Sequence, residues 1–141
     1  MGWQLLAVVS AVAAGVTSVF AKAGLEDVPS HLGNVVRTAI VLLLSVGILF
    51  ATGEHQKSSA LSGRAWLFLA LSGIATSVSW VAYFKALSLG SATPVTAIDK
   101  TSLVVTMLLS IALLGERFSW RIGFGVLLVI AGSFLASTES R

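Results

Sequence analysis

Residues 92–114 read ATPVTAIDKTSLVVTMLLSIALL, an apolar and hydroxyl-bearing stretch that contains one acid and one base, Asp99 and Lys100. A helix rises about 1.5 Å per residue, so about 20 apolar residues cross a hydrocarbon core of about 30 Å. The stretch is therefore predicted to be a transmembrane helix. The two ionisable side chains lie roughly 12 Å inside it by helical rise.

Four other stretches have the same character, at residues 3–21, 35–52, 65–84 and 120–137. The loops between them are short and contain Gly, Pro, Ser, Asp and Asn, which favour turns. Hydrophobic residues make up 56% of the 141-residue chain and charged residues only 11%, against about 25% charged in soluble domains. The sequence predicts an all-α integral membrane protein in which residues 1–141 form a single domain of five transmembrane helices.

Several classes of site are disfavoured by composition. The chain has no cysteine, which excludes disulfides and thiolate metal sites. His31 and His55 have no partner at ligand spacing, so we expect neither a metal nor a cofactor. The net charge of +3 is spread over the loops, which is not typical of nucleic-acid binding. No nucleophile–base pair has a recognisable spacing, and we expect no enzyme activity.

The loop charges do not decide the orientation of the helices. Four basic residues fall on each side of the predicted membrane, and the ninth is Lys100. The N-terminal side carries Lys57, Arg64, Arg117 and Arg121, and the other side carries Lys22, Arg37, Lys85 and Arg141. The positive-inside rule gives no direction, which fits either a dual-topology protein or an undecided count. Trp3, Trp66 and Trp120 are predicted to form an interfacial belt on the N-terminal side.

Two polar stripes follow from a period of 3.6 residues per turn. The stripe of the fourth span comprises Asp99, Ser102, Thr106 and Ser110. The stripe of the third span comprises Ser72, Thr76, Ser79 and Tyr83, with Trp80 beside it. We expect the two stripes to line a cavity. For any single hydroxyl, the alternative is a bond to its own helix backbone or a contact between helices.

The sequence is compatible with two roles for Asp99 and Lys100. Adjacent helical residues lie about 100° apart, so the two side chains are predicted not to pair with each other. One alternative is a buried ion pair of Asp99 with Lys22 or Lys85, or of Lys100 with a backbone carbonyl. The other is a role in binding the solute or a coupling ion, with Asp99 as the candidate proton carrier.

Small residues and turn residues complete the prediction. Gly125, Gly132 and Ala136 share one face of the last span and are predicted to form a packing or dimer surface. Gly115 is predicted to end the fourth helix. Pro94 is expected to kink or loosen the start of that helix.

A family resemblance rests on SWVAYFKAL at residues 79–87, the turn GSATPV at 90–95, the turn LLGERFS at 113–119 and the Gly-rich last helix. These segments resemble the EamA domain of the drug/metabolite transporter superfamily, and the resemblance covers essentially the whole chain. The stretch PVTAIDKTS is most similar to the small bacterial and archaeal members that have one five-helix repeat.

The resemblance implies a membrane transporter. Larger members carry two five-helix repeats of inverted topology and export metabolites or amino acids, with substrate sites at the repeat interface. A single repeat can restore that arrangement as a homodimer, including an antiparallel one. We therefore expect a secondary transporter, an exporter of small metabolites or amino-acid-like solutes by alternating access, in the bilayer of a bacterial or archaeal cell. The alternative is a non-transporting scaffold or regulatory subunit.

The residues expected to bind the solute or couple its transport are polar or aromatic and lie within or at the end of a predicted span. They are Asp99, Lys100, Ser102, Thr106, Tyr83, Trp80, Thr76, Ser79 and Lys22.

Overall fold

The computed structural model describes residues 2–56 and 61–138. Over these ranges the regular structure is helical, and the helices are α1 (Trp3–Gly24), α2 (Ser30–Ala51), α3 (Gly63–Leu89), α4 (Ala92–Asp99), α5 (Ser102–Leu114) and α6 (Trp120–Thr138). Helices α4 and α5 together make one apolar span, so five spans are long and apolar enough to cross a membrane. The predicted all-α membrane fold with five spans is confirmed.

The chain divides into two compact units. The terminal unit comprises Met1–Ala23 and Leu89–Arg141, and therefore contains α1, α4, α5 and α6. The central unit comprises Gly24–Ser88 and contains α2 and α3. Of the basic residues counted above, Lys57 and Arg141 lie outside the described residues.

Helix α2 begins five residues earlier than the predicted start at Val35. Pro29 stands at its N-cap with φ −55° and ψ 135°, and the Gly33 amide donates to the Pro29 carbonyl at 3.0 Å. A proline loses nothing at this position because the first amides of a helix have no intrahelical acceptor. The segment Ser30–Asn34, predicted as loop, is therefore the first turn of the helix.

The central unit is held by a close approach at Gly33. A Cβ atom built on Gly33 would come within 2.7 Å of Leu25 Cδ2 and 3.8 Å of Phe84 Cδ1. Leu25 and Phe84 are 7% and 3% exposed, respectively. The absence of a side chain at Gly33 thus lets the loop before α2 and the end of α3 pack against α2.

In the terminal unit, α4 packs against α6. The predicted end of the fourth span at Gly115 is confirmed, because α5 ends at Leu114 and Gly115 has φ +68°. Glu116 then donates its amide to the Ser110 carbonyl at 3.2 Å. This left-handed glycine satisfies the end of α5 and turns the chain toward α6.

Most large apolar side chains of the spans face outward. Trp3, Trp66 and Trp120 are 76%, 61% and 84% exposed, and each lies at or near the start of a helix. In a membrane this apolar surface contacts lipid or another membrane helix, and exposed tryptophans at helix starts are typical of the interfacial region.

Candidate functional site

The fourth span is interrupted at its two ionisable residues. A single helix over residues 92–114 was predicted, but Lys100 and Thr101 form a turn between α4 and α5. Amides in the turn bond to the third residue before them: Thr101 to the Ile98 carbonyl at 2.9 Å, and Leu103 to the Lys100 carbonyl at 3.2 Å. The predicted span over residues 92–114 is confirmed, but its α-helical bonding is interrupted by one 3₁₀ turn at Lys100 (φ −66°, ψ −14°) and Thr101 (φ −65°, ψ −14°), which the sequence did not predict.

The cause of the interruption lies in the sequence DKTS. Asp, Thr and Ser carry short polar side chains that compete for backbone groups and weaken a helix interior. Thr101 does so directly, because its Oγ1 donates to the Ile98 carbonyl at 2.7 Å. Among the described residues, no backbone amide donates to the Asp99 carbonyl. The interruption leaves polar backbone inside a membrane span, which proteins tolerate where the backbone lines a cavity or is buried in protein.

Asp99 and Lys100 form an ion pair across the interruption. Lys100 Nζ lies 3.6 Å from Asp99 Oδ2, and the side chains are 51% and 40% exposed. The prediction that these neighbours cannot pair was wrong, because it considered only the direction in which each side chain leaves the helix, and the long Lys100 side chain reaches round to its neighbour. Pairing is the usual way in which proteins place charges within a span.

Pro94 does not loosen the helix. It is the third residue of α4, which starts at Ala92, where an amide would have no intrahelical partner. Val95 donates to the Ser91 carbonyl at 3.3 Å, so the first turn is intact. The expected kink at Pro94 was wrong, and the irregularity occurs at Lys100 and Thr101 instead.

The α5 part of the predicted stripe borders a groove within the terminal unit. Thr106 and Ser110 line a space of about 190 Å³ together with Ile122 and Val126 of α6. Thr106 Oγ1 donates to the Ser102 carbonyl at 3.1 Å, so the alternative of back-bonding is confirmed for this residue. Helix α6 was predicted only as a packing or dimer surface, and its contribution to the lining of this groove was not predicted. Asp99 lies on α4, so it does not continue the α5 stripe in helical register.

The α3 stripe borders a second groove, which lies within the central unit. This groove has a volume of about 610 Å³, and Ser72, Thr76 and Trp80 line it opposite Asn34 and Thr38 of α2. Thr76 Oγ1 also back-bonds, to the Ser72 carbonyl at 2.8 Å. The predicted opposition of the α3 and α5 stripes involves both units and stays a prediction.

The remaining predicted site residues lie on α1 and α3. Lys22 is half-buried in the last turn of α1, where a cation is favoured by the helix dipole. Tyr83 is half-buried, and its ring meets Phe84 edge to face at 6.5 Å. Ser79 is exposed on α3. A functional role for each of these residues stays a prediction.

Arg37 is the residue that sequence reasoning missed. Its guanidinium carbon lies 3.9 Å from the centroid of the Trp80 ring and 5.7 Å from that of Phe84. With the helix start placed at Val35, Arg37 counted as a loop-side charge. Because α2 starts at Ser30, Arg37 is its eighth residue and lies well inside the span.

The described residues contain no group of three or more His, Asp or Glu side chains able to hold a metal ion. Five apolar spans, one of them with a charge pair in its interior, define a multi-pass membrane protein.

Comparison with known proteins identifies the family. Residues 1–138 match the model of the EamA-like transporter family, and the chain belongs to that family. It is 44% identical over 133 residues, 94% of each chain, to a Sinorhizobium sp protein named "Uncharacterized transporter in cobO 3'region". No solved structure matches the chain. Both comparisons point to a transporter rather than an enzyme.

Proposed function

We propose that the protein is a secondary transporter that exports small metabolites or amino-acid-like solutes, and that it works as a homodimer by alternating access. The observation that carries this proposal is the interruption of the fourth span at Asp99 and Lys100. Transporters bind solutes and coupling ions at discontinuous helices, where backbone groups are released from helical bonding. A tight turn with an ion pair and a carbonyl that receives no backbone amide has these properties.

The homodimer is supported by the faces that the chain leaves unfilled. A Cβ atom at Gly125 or Gly132 of α6 would meet nothing within 4 Å. Small residues on a membrane helix allow another helix to approach closely. One five-helix repeat supplies half of the arrangement found in ten-helix relatives, and a second copy supplies the other half. With Arg37 inside the second span, the loops carry four basic residues on one side and three on the other, a near balance that fits an antiparallel pair.

Asp99 is the proposed coupling residue. A proton arriving at its carboxylate would break the ion pair with Lys100 Nζ at 3.6 Å, which changes the charge at the turn and favours a different conformation. Solute transport and proton movement would then be coupled through the breaking of this one ion pair. Thr101, whose hydroxyl is bonded within the turn, holds the backbone in the paired arrangement.

The test is counterflow of radiolabelled amino acids and small organic acids, one at a time, in liposomes over a series of pH values. We expect Asp99→Asn to lower counterflow about tenfold or more and to flatten its pH dependence, because the amide neither carries the proton nor forms the ion pair. Asp27→Asn is the matched control, since Asp27 is an exposed loop carboxylate. Wild-type rates for Asp99→Asn at every pH would contradict the coupling role.

A further inference from the structure

A positive charge lies inside the second span without an anionic partner among the described residues. Arg37 is followed in α2 by fourteen residues, TAIVLLLSVGILFA, none of which is charged. The ion pair found in the described part of the chain joins Lys100 to Asp99 and does not involve Arg37. A charge at this depth is costly unless it is paired or faces a polar cavity, and in membrane proteins it marks functional sites.

The position of Arg37 is set by an aromatic ring. Its guanidinium lies over Trp80, with 3.9 Å from the guanidinium carbon to the ring centroid. This cation–π contact offsets part of the cost of the charge and helps to position the guanidinium. A cation–π contact uses no N–H group, and Nη1 of Arg37 has no hydrogen-bond partner among the described residues. Arg37 is therefore oriented but not neutralised.

Two polar atoms beside this stack are buried and make no hydrogen bond among the described residues: Arg37 Nη1 and Asn34 Oδ1. Asn34 and Arg37 are three residues apart on α2, so they share one face of the helix. Buried polar atoms are nearly always paired in native proteins. The orphaned donor at Nη1 and the orphaned acceptor at Oδ1 indicate that a group from outside the chain completes the cluster, and Nη1 requires an acceptor from that group.

Three of the four hydroxyls that line the groove donate within their own helices. Thr38 Oγ1 donates to the Asn34 carbonyl at 2.7 Å, and Ser77 Oγ donates to the Gly73 carbonyl at 3.0 Å. Thr76 does the same within α3. Each O–H is used within its own helix, so these oxygens can only accept. The donors left to an anion are Arg37, the Asn34 amide, the Ser72 hydroxyl and the Trp80 indole N–H, and of these Arg37 alone carries a charge.

We propose that Arg37, supported by Asn34, binds a carboxylate of the transported solute; this inference rests on the proposed transport function. The planar guanidinium matches a carboxylate with two parallel N–H···O bonds. The groove of about 610 Å³ that Asn34 and Trp80 line holds the rest of a small solute. Nη1 is sealed in this conformation, so the carboxylate reaches it after α2 and α3 separate locally.

The test measures binding directly in purified, detergent-solubilised protein. Trp3, Trp66 and Trp120 are replaced by Phe, which leaves Trp80 as the single fluorescent reporter. The probes are glutamate against glutamine and succinate against succinamide, which differ in the charge of one or both acid groups. We expect saturable changes in Trp80 emission with the carboxylates and about tenfold or more weakening in Arg37→Gln, which loses the charge-assisted bonds.

Arg64→Gln is the matched control and is expected to bind as the parent does. Arg64 also lies near an aromatic ring, at 5.7 Å from the Phe68 centroid, but is exposed at the start of α3. Size-exclusion chromatography checks that each variant is monodisperse. If Arg37→Gln fails this check, Arg37→Lys replaces it; Lys keeps the charge without the fork and is expected to weaken binding about threefold or more.

Three outcomes would overturn the inference: equal binding in wild type and the Arg37 variant, no preference for carboxylates over the neutral amides, or a response to inorganic phosphate or phosphatidylglycerol vesicles with none to carboxylates. The assay needs no turnover. Arg37-dependent binding without counterflow therefore refutes the transport proposal alone. Counterflow that is insensitive to Arg37 refutes the inference alone.

Discussion

At the scale of single residues, the packing of the central unit requires that position 33 has no side chain. The position that a Cβ would take is 2.7 Å from Leu25 Cδ2, and Leu25 is itself buried. By contrast, a Cβ on Gly47 of the same helix would meet nothing within 4 Å. The two glycines therefore separate the effect of crowding from the effect of helix propensity.

We expect Gly33→Ala to lower the free energy of unfolding by about 1–3 kcal/mol relative to Gly47→Ala, which is the range for overpacking. Gly47→Ala should be neutral or stabilising by up to about 1 kcal/mol, because alanine favours the helix. Unfolding of both variants in mixed micelles, followed by circular dichroism, measures the difference. Equal stability of the two variants would show that Leu25 relaxes at no cost.

The charge of Arg37 could be predicted from the sequence, but its depth in the span and its contact with Trp80 could not. Its charge was visible, but its depth depends on where α2 begins, and helix starts are weakly specified by local pattern. Pro29 and Ser30 are a good helix start, yet the polar run through Asn34 reads as loop. The contact with Trp80 joins positions 43 apart in the chain, and no local periodicity predicts such a pairing.

At the scale of elements, the interruption between α4 and α5 is the main departure from regular structure. The spacing of Asp99, Ser102 and Thr106 was interpreted with one helical period, which holds within α5 but not across Lys100 and Thr101. Composition could have indicated a weak point, since Asp, Thr and Ser are poor helix formers. The hydrogen bonds of this turn, from each amide to the third residue before it, could not be derived from residue spacing alone.

The Thr101 hydroxyl is expected to keep the backbone at Lys100 and Thr101 out of regular α-helical hydrogen bonding. We predict that Thr101→Ala slows amide hydrogen exchange in peptides covering residues 98–103 by about two- to fivefold. The reason is that the Ile98 carbonyl, freed from Oγ1, returns to regular helical bonding, and one hydrogen bond contributes about 0.5–1 kcal/mol. Mass spectrometry of the detergent-solubilised protein measures the exchange.

Thr106→Ala is the control for this prediction. Thr106 back-bonds to the fourth residue before it, in a regular part of α5. Its loss should leave exchange at residues 98–103 unchanged. Equal slowing in both variants would mean that the hydroxyl of Thr101 has no special part in the turn.

At the scale of the whole molecule, the five spans were predictable because length and hydropathy alone define them. All five were found, with their ends shifted at α1, α2, α3 and α6. Membrane orientation was not predictable, because it depends on a difference in loop charge, and the sequence count assigned four basic residues to each side. With Arg37 inside the second span the counts are four and three.

We expect each terminus of the protein to be found on both sides of the membrane, in different copies of the chain. With loop charges that differ by a single basic residue once Arg37 is placed inside α2, insertion has little preference for direction, and a dual-topology chain can form the antiparallel homodimer. Reporter fusions at the N-terminus and at the C-terminus, active on one side only, measure the fraction in each orientation. An added Arg–Arg pair in one loop should bias that fraction. A single fixed orientation of the unmodified chain would contradict the antiparallel dimer.

The ion pair at the turn also has an electrical consequence. Asp99 and Lys100 carry opposite charges 3.6 Å apart, so any movement that carries both together transfers no net charge through the membrane potential. A single unpaired charge crossing the full field would exchange about 2.3 kcal/mol per 100 mV. While Asp99 is ionised, the pairing of neighbours thus lets this part of the fourth span change position at nearly the same energetic cost in a polarised and in a de-energised cell; once Asp99 is protonated, the charge of Lys100 makes the cost depend on the membrane potential.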